Sequence, residues 1–271
     1  MLLSIIVPVF NEEKNIEILI EKLLKLDFSG TNFSKEIIVV NDGSDDRSRE
    51  IIEKFDKIQV INQENSGKGR AVQNGIKLAK GEYVLIQDGD LEYNPNDILL
   101  MCKAVKNFEK ISVYGSRYKP LYFKIIPRFY KNQNFSSYLA NIFFMFLFMF
   151  LYTRFISDPL TGYKLYLRDF FMNNVIYSKG FEADHEITAK LIKQKYKIVE
   201  IPVSYKPRTK EEGKKINFFD AIKAMVTIIK YRFLNKWVQY FLIRNYMFKK
   251  WQVYYRHNLY ANYFSLFNFS F

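Results

Sequence analysis

The sequence predicts an α/β chain: an open, mainly parallel sheet with helices on both faces. Strand-like and helix-like patterns alternate through its first half, the strands are unbroken apolar runs, and a polar or acidic cluster follows three of them. Such alternation builds βαβ units. Strands without polar alternation are those covered on both faces. Open sheets of this kind bind ligands beyond the carboxyl ends of their strands, where the clusters fall.

Ser4 to Phe10, with Ile5, Ile6 and Val7, reads as the first strand. No basic segment precedes it and no small-residue cleavage site follows, so no signal peptide is expected. Ile16, Leu19, Ile20, Leu23 and Leu24 recur at helical spacing. Glu36 to Asn41 is a second buried strand, Asp45 to Phe55 a helix and Ile58 to Asn62 a short strand. Lys68 to Lys80 is a helix closed by Gly81, and Tyr83 to Gln87 another buried strand. Ile98, Leu99, Cys102 and Val105 share a helical face, which assigns Cys102 to the core. A single cysteine excludes an intrachain disulfide and a cysteine metal site, and fits a reducing compartment.

The second half changes character. Ser112 to Ser116 reads as a strand ending in Arg117, and Lys197 to Tyr205 as another. No charge stands between Lys131 and Arg154. The apolar heart of that stretch, Ile142 to Tyr152, is about eleven residues, short of the roughly 20 a spanning helix needs. An interfacial or re-entrant helix is expected, with a core helix as the alternative. Phe218 to Trp237 reads as an amphipathic helix carrying Lys223, Lys230, Arg232 and Lys236, and the tail to Phe271 is aromatic and basic. The pattern divides the chain into a catalytic α/β domain over residues 1–216, including the apolar helix at about 135–155, and a basic, aromatic segment over 217–271 with amphipathic membrane-interface helices.

Of 271 residues, Lys and Arg number 41 against 28 Asp and Glu, a net charge of +13, and 18% are aromatic. The balance points to a polyanionic partner, and the rings suit a membrane interface. No nucleic-acid-binding module is recognisable, so nucleic acid is not expected as a partner.

Asp88-x-Asp90 follows the buried strand Tyr83 to Gln87. Two carboxylates one residue apart there present oxygens to a hard divalent cation, Mn2+ or Mg2+, that keeps open positions for diphosphate oxygens. Glu92 is a third candidate ligand. Phe10 and Pro8 offer apolar faces to a base, and Glu12 and Asp42 offer acceptors to base or ribose; both carboxylates equally suit a helix N-terminus. Gly67-Lys68-Gly69 precedes a helix without the full phosphate-loop spacing. Lys68 is therefore a candidate phosphate or ribose contact, and a simple turn serves as well.

These residues occur in the order found in a known family. Pro8-Val9-Phe10-Asn11-Glu12, Asn41-Asp42-Gly43-Ser44, Gly67-Lys68-Gly69-Arg70-Ala71 and Asp88-Gly89-Asp90-Leu91-Glu92 resemble family 2 glycosyltransferases of the GT-A (Rossmann-like) fold. The later motifs are Gly115-Ser116-Arg117, Ser157-Asp158-Pro159-x-Thr161-Gly162-Tyr163-Lys164, Gly180-Phe181-Glu182 and Arg208 with Gly213-Lys214-Lys215. They are similar to those of dolichyl-phosphate mannose synthases and bacterial polyprenyl-phosphate glycosyltransferases. The resemblance implies sugar transfer, with inversion, from a UDP- or GDP-linked donor to a polyprenyl phosphate at the cytoplasmic membrane face. Transfer to a growing glycan and a non-catalytic sugar-nucleotide or membrane-binding module are the alternatives. Asp90, Arg117, Arg208 and Lys214 are carried over as catalytic, Pro8, Phe10, Glu12, Asp42, Lys68 and Asp88 as nucleotide-binding, and Asp88, Asp90 and Glu92 as metal ligands.

The family commonly has two acids where Asn41-Asp42 stands, and often Gln where Glu92 stands. The pair of C-terminal spans of some members has no counterpart here, so lipid contact is expected from the Ile142 helix, the tail or a membrane partner subunit. A phosphate acceptor is already anionic and needs no general base; a hydroxyl acceptor does, with Glu182, Asp184 and Glu186 as candidates. Asp184 and Glu186 equally suit a plain surface helix, and His185 beside them is expected at the surface.

Overall fold

A computed structural model of the chain describes residues 1–105, 110–118, 135–208 and 218–233. The elements in order are β1 (Leu2–Val9), α1 (Ile16–Lys25), β2 (Ser34–Asp42), α2 (Ser48–Ile52), β3 (Gln59–Gln63), α3 (Lys68–Leu78), β4 (Tyr83–Ile86) and α4 (Asp97–Ala104). There follow β5 (Ile111–Ser116), α5 (Phe135–Tyr152), β6 (Lys164–Leu167), α6 (Asp169–Met172), α7 (Ala183–Lys193), β7 (Lys197–Pro202) and α8 (Phe218–Phe233). Met1–Ile229 forms one compact unit.

The seven strands lie in the order β3-β2-β1-β4-β6-β5-β7. β1 pairs in parallel with β2 and β4, β2 with β3, and β5 with β7. β6 runs antiparallel to both β4 and β5. The α/β class and the mainly parallel sheet agree with the sequence pattern; β6 and α6 were not foreseen. β2 shows why the strands read so clearly: Ile37, Ile38, Val39 and Val40 are all buried, because the sheet is covered on both faces. On one face Ile16, Leu19, Ile20 and Leu23 of α1 join Leu3, Ile5 and Val7 of β1 in the core, and Cys102 is buried there with them. The parallel strands deliver the segments after β1, β2 and β4 to one sheet edge.

Three local readings change. α2 is confined to Ser48–Ile52, shorter than the pattern from Asp45 to Phe55. β7 ends at Pro202, which lacks the N–H to continue a ladder, although Tyr205 regains a single bridge to Tyr93. α5 spans 18 residues, not the short apolar heart, because Ser136, Ser137 and Asn141 are absorbed into it. It is long and apolar enough by composition to cross a membrane, and 28% of it is buried. Asn141, Phe144, Met145 and Phe148 face inward while Phe135, Leu139, Phe143, Phe146 and Phe150 are exposed.

α7 departs furthest from its reading. His185 is buried, not at the surface: its ring stacks 5.3 Å from that of Phe144. Burial, with Lys164 nearby, pushes its pKa down to about 3, so it is neutral. Glu186 is fully buried, accepting from the Tyr177 and Ser178 N–H groups and pairing with Lys190. Although burial works against it, Lys190 and these donors hold the carboxyl below its usual range. Such a group is a fastener, and neither a surface residue nor a base with access to substrate.

Candidate active site

The segments after β1, β2 and β4 carry Glu12, Asp42 and the Asp88–Glu92 turn. A methyl at Gly89 would meet Glu12 Cγ and Pro8 O at 3.5 Å, so Pro8 of β1 and Glu12 just after it adjoin the acidic turn. Four carboxylates gather there with two cations. Lys68 Nζ lies 2.6 Å from Asp88 Oδ1. Arg208 Nη1 donates to Glu12 at 3.0 and 3.2 Å, and its Nη2 to Asp90 Oδ2 at 2.9 Å. Arg208 Nε stands 3.6 Å from Glu92 Oε1.

The charges do not balance. Glu12, Asp88, Asp90 and Glu92 against Lys68 and Arg208 leave two negative charges in excess. Asp90 registers this: burial, then the carboxylates of Asp88 and Glu92, push its pKa up to about 7 despite Arg208. Burial acts to lower the Lys68 pKa, but Asp88, Asp184 and Asp90 outweigh it and raise it. For Arg208, Asp90 and Glu12 likewise outweigh burial. Among the described residues no three His, Cys, Asp or Glu side chains converge on an ion position; lysine and arginine take those carboxylates. Hard oxygen donors and this excess of negative charge nevertheless fit one divalent cation.

Asp42 holds a loop. Its carboxylate accepts from Gln63 Nε2 at 2.6 Å, Ser66 N at 2.9 Å and Gly67 N at 2.9 Å. It holds the loop that enters α3, and so sets Lys68. Gly67 has a φ of 91°, which favours glycine, and a methyl there would stand 2.9 Å from Lys179 O.

Arg117 lies at the end of β5, apart from the four carboxylates. Its Nε and Nη2 each donate to Asp158 at 2.7 Å, a bidentate pair that raises its pKa against the effect of burial. Asp158 is fixed in turn by Glu200, which accepts from the Ser157 and Asp158 N–H groups at 2.9 and 3.1 Å. Asn141 of α5 donates to Ser157 O at 2.9 Å, tying the apolar helix to this loop. Lys214 lies outside the described residues. Of the base candidates, Glu182 accepts from Gly180 N, and Asp184 is half-buried near Lys68.

The sequence is matched by the model of the glycosyl transferase family 2 over residues 4–174. The chain belongs to that family. It is therefore a glycosyltransferase, as its acidic turn at the sheet edge suggested. Dolichyl-phosphate beta-glucosyltransferase ALG5D of Trichomonas vaginalis is 31% identical over 255 residues, covering 86% of this chain and 75% of that protein. Dolichol-phosphate mannosyltransferase of Pyrococcus furiosus is 30% identical over 227 residues, covering 79% and 59%. Glucosyl-3-phosphoglycerate synthase of Mycobacterium tuberculosis, solved with Mn2+, UDP and phosphoglyceric acid, superposes with a TM-score of 0.63 at 17% identity. That match covers 86% of this chain and 79% of the other, and shows a shared fold. In this glycosyltransferase Glu12, Lys68, Asp88, Asp90, Glu92 and Arg208 are joined by the contacts above, and Arg117 pairs with Asp158.

One glycine tests the site. A methyl at Gly162 would stand 2.7 Å from Asp88 Oδ2, the movable end of a side chain. Gly162→Ala is expected to fold with a melting temperature near the wild-type value and to lose about a hundredfold in kcat/KM, because a displaced carboxylate costs alignment. Steady-state kinetics beside a thermal melt check this. Unchanged kinetics would remove Asp88 from the machinery.

Proposed function

We propose that this glycosyltransferase moves a sugar from a nucleotide-diphosphate donor to a polyprenyl phosphate at the cytoplasmic face of a membrane, with inversion and with a divalent cation. The carrying observation is the group Glu12, Asp88, Asp90 and Glu92 held with Lys68 and Arg208 at the carboxyl edge of the sheet. Asp88 and Asp90 would hold Mn2+ or Mg2+, which when bound neutralises charge on the leaving diphosphate. The solved relative binds Mn2+ and UDP, which supports the same cofactor and donor class here. Pro8 and Glu12 adjoin the turn, and with Phe10 and Asp42 they would serve the nucleoside. Lys68 and Arg208 supply positive charge to phosphate oxygens, and Arg117 and Lys214 receive the acceptor phosphate. An acceptor that is already anionic attacks without a general base, consistent with Glu186 being buried in a structural ion pair.

The names of both similar proteins specify dolichyl or dolichol phosphate, which supports the acceptor class. The exposed faces of α5 and α8 support the membrane. Phe219, Ile222 and Val226 recur on α8 at helical spacing, and Tyr152 of α5 donates to Ile228 O, so two apolar faces belong to neighbouring helices. The catalytic domain is assigned to residues 1–216 and the membrane segment to 217–271.

An acceptor panel tests the reading. With Mn2+ and UDP- or GDP-sugars, polyprenyl phosphate should be glycosylated in preference to phosphoglyceric acid or an oligosaccharide. Preference for phosphoglyceric acid would instead assign the activity of the solved relative. The chain should also float with anionic liposomes at low salt, and retain part of this binding at high salt through apolar insertion. Failure to float at low salt would contradict membrane attachment.

A further inference from the structure

Glu92 was expected as a metal ligand, yet its contacts lead elsewhere. Its Oε2 accepts from Tyr205 Oη at 2.9 Å and its Oε1 from the backbone N–H of Arg208 at 2.9 Å. Its own carbonyl accepts from Lys206 N at 2.8 Å. One glutamate thus ties down the segment after β7 that carries Arg208, whose guanidinium reaches Glu12 and Asp90. Tyr205 is held from its other sides. Its ring lies 5.1 Å from that of Tyr93, and the guanidinium of Arg117 sits 4.8 Å above it. Arg117 in turn is fixed on Asp158. Tyr205 therefore touches both an arginine expected at the acceptor phosphate and the glutamate that anchors the arginine expected at the donor diphosphate.

We infer that Glu92 and Tyr205 form a latch that positions Arg208 over the donor diphosphate, and that Glu92 acts on the donor through Arg208 and not as a ligand of the cation. The inference rests on the donor-site reading above. Glu92 and Tyr205 are positioning residues: a rigid anchor keeps a guanidinium aligned before substrate arrives, which lowers the ordering cost of binding. A metal ligand and a latch make opposite demands on Glu92. A ligand must turn a lone pair to the ion, whereas in the structure both oxygens are directed at Tyr205 and the Arg208 amide. Gln at this position retains the latch, since its carbonyl accepts from Arg208 N while its NH2 donates to the tyrosine oxygen.

Hydrogen–deuterium exchange on the full chain, resolved at Tyr205 to Arg208, tests this beside titration with UDP and Mn2+. Tyr205→Phe should speed exchange of the segment and weaken UDP–Mn2+ binding, each by about ten- to a hundredfold, the range for one lost hydrogen bond to a charged group. Glu92→Ala should do at least as much, and Glu92→Gln should keep exchange of the segment within about twofold of wild type. Exchange at the wild-type rate in Tyr205→Phe would overturn the latch. So would a Glu92→Gln chain that loses Mn2+ affinity as fully as Asp90→Asn while its exchange is unchanged. If the wild-type chain binds no UDP with Mn2+, the donor reading fails, and exchange in the ligand-free variants still decides the latch.

Discussion

Asp90→Asn is expected to lower kcat/KM by about a thousandfold, the upper range for removing one group that stabilises developing charge. The same variant should melt, without metal, at or above the wild-type temperature near neutral pH. The two expectations share a cause. Burial and the neighbouring carboxylates Asp88 and Glu92 raise the Asp90 pKa from 3.8 to about 7. A carboxyl whose folded pKa is raised contributes stability below its unfolded pKa and loses it as pH rises through the folded value. Metal-free wild type should therefore lose stability at this group between about pH 4 and pH 7, and the asparagine variant should not. Asparagine keeps an acceptor for the Glu92 N–H, which lies 3.1 Å from Asp90 Oδ1. Thermal melts across that pH range, with transfer assays at saturating Mn2+, check both halves. Wild-type turnover in the variant would contradict the role given to Asp90.

Arg208→Ala is expected to lower kcat/KM by about a hundredfold through lost stabilisation of the leaving diphosphate. It should also leave Glu12 and Asp90 without their shared cation, in a site where the three side chains are 15%, 8% and 12% exposed. Removing one partner of a buried pair is costly because the other charge stays behind. The metal-free variant should melt below wild type. Mn2+ added without nucleotide should then raise its melting temperature by more than it raises that of wild type, because the ion no longer competes with a resident guanidinium. Equal shifts in the two proteins would show that Arg208 does not contend with the cation for the carboxylates.

Periodicity and motif order made the first half legible. β1, β2 and β4 are apolar runs of the kind a doubly covered sheet demands, and their pattern alone puts the acidic turn at their carboxyl edge. β6 escaped because Lys164 to Leu167 is only four residues, too short for the alternation of Leu165 and Leu167 with Lys164 and Tyr166 to stand out; they are a strand through pairing with β4 and β5. His185 and Glu186 were misread for a related reason. A polar pair on a helix looks exposed until Phe144 from α5 and the Tyr177–Ser178 backbone cover it. Asp42, Asp158 and Tyr205 show the same limit at the site. Their residue types or motifs were visible, but their partners lie far away in sequence, as with Arg117 and Asp158, and only folding brings them together.

The most direct test of the account measures nucleoside diphosphate and glycolipid together, in one reaction of the full chain with nucleotide sugar, polyprenyl phosphate and Mn2+. One nucleoside diphosphate should be released for each glycolipid formed, with both products lost when a chelator removes the cation and restored when Mn2+ returns. Glycolipid formed at an undiminished rate in chelator, or release of nucleoside monophosphate in place of the diphosphate, would contradict it.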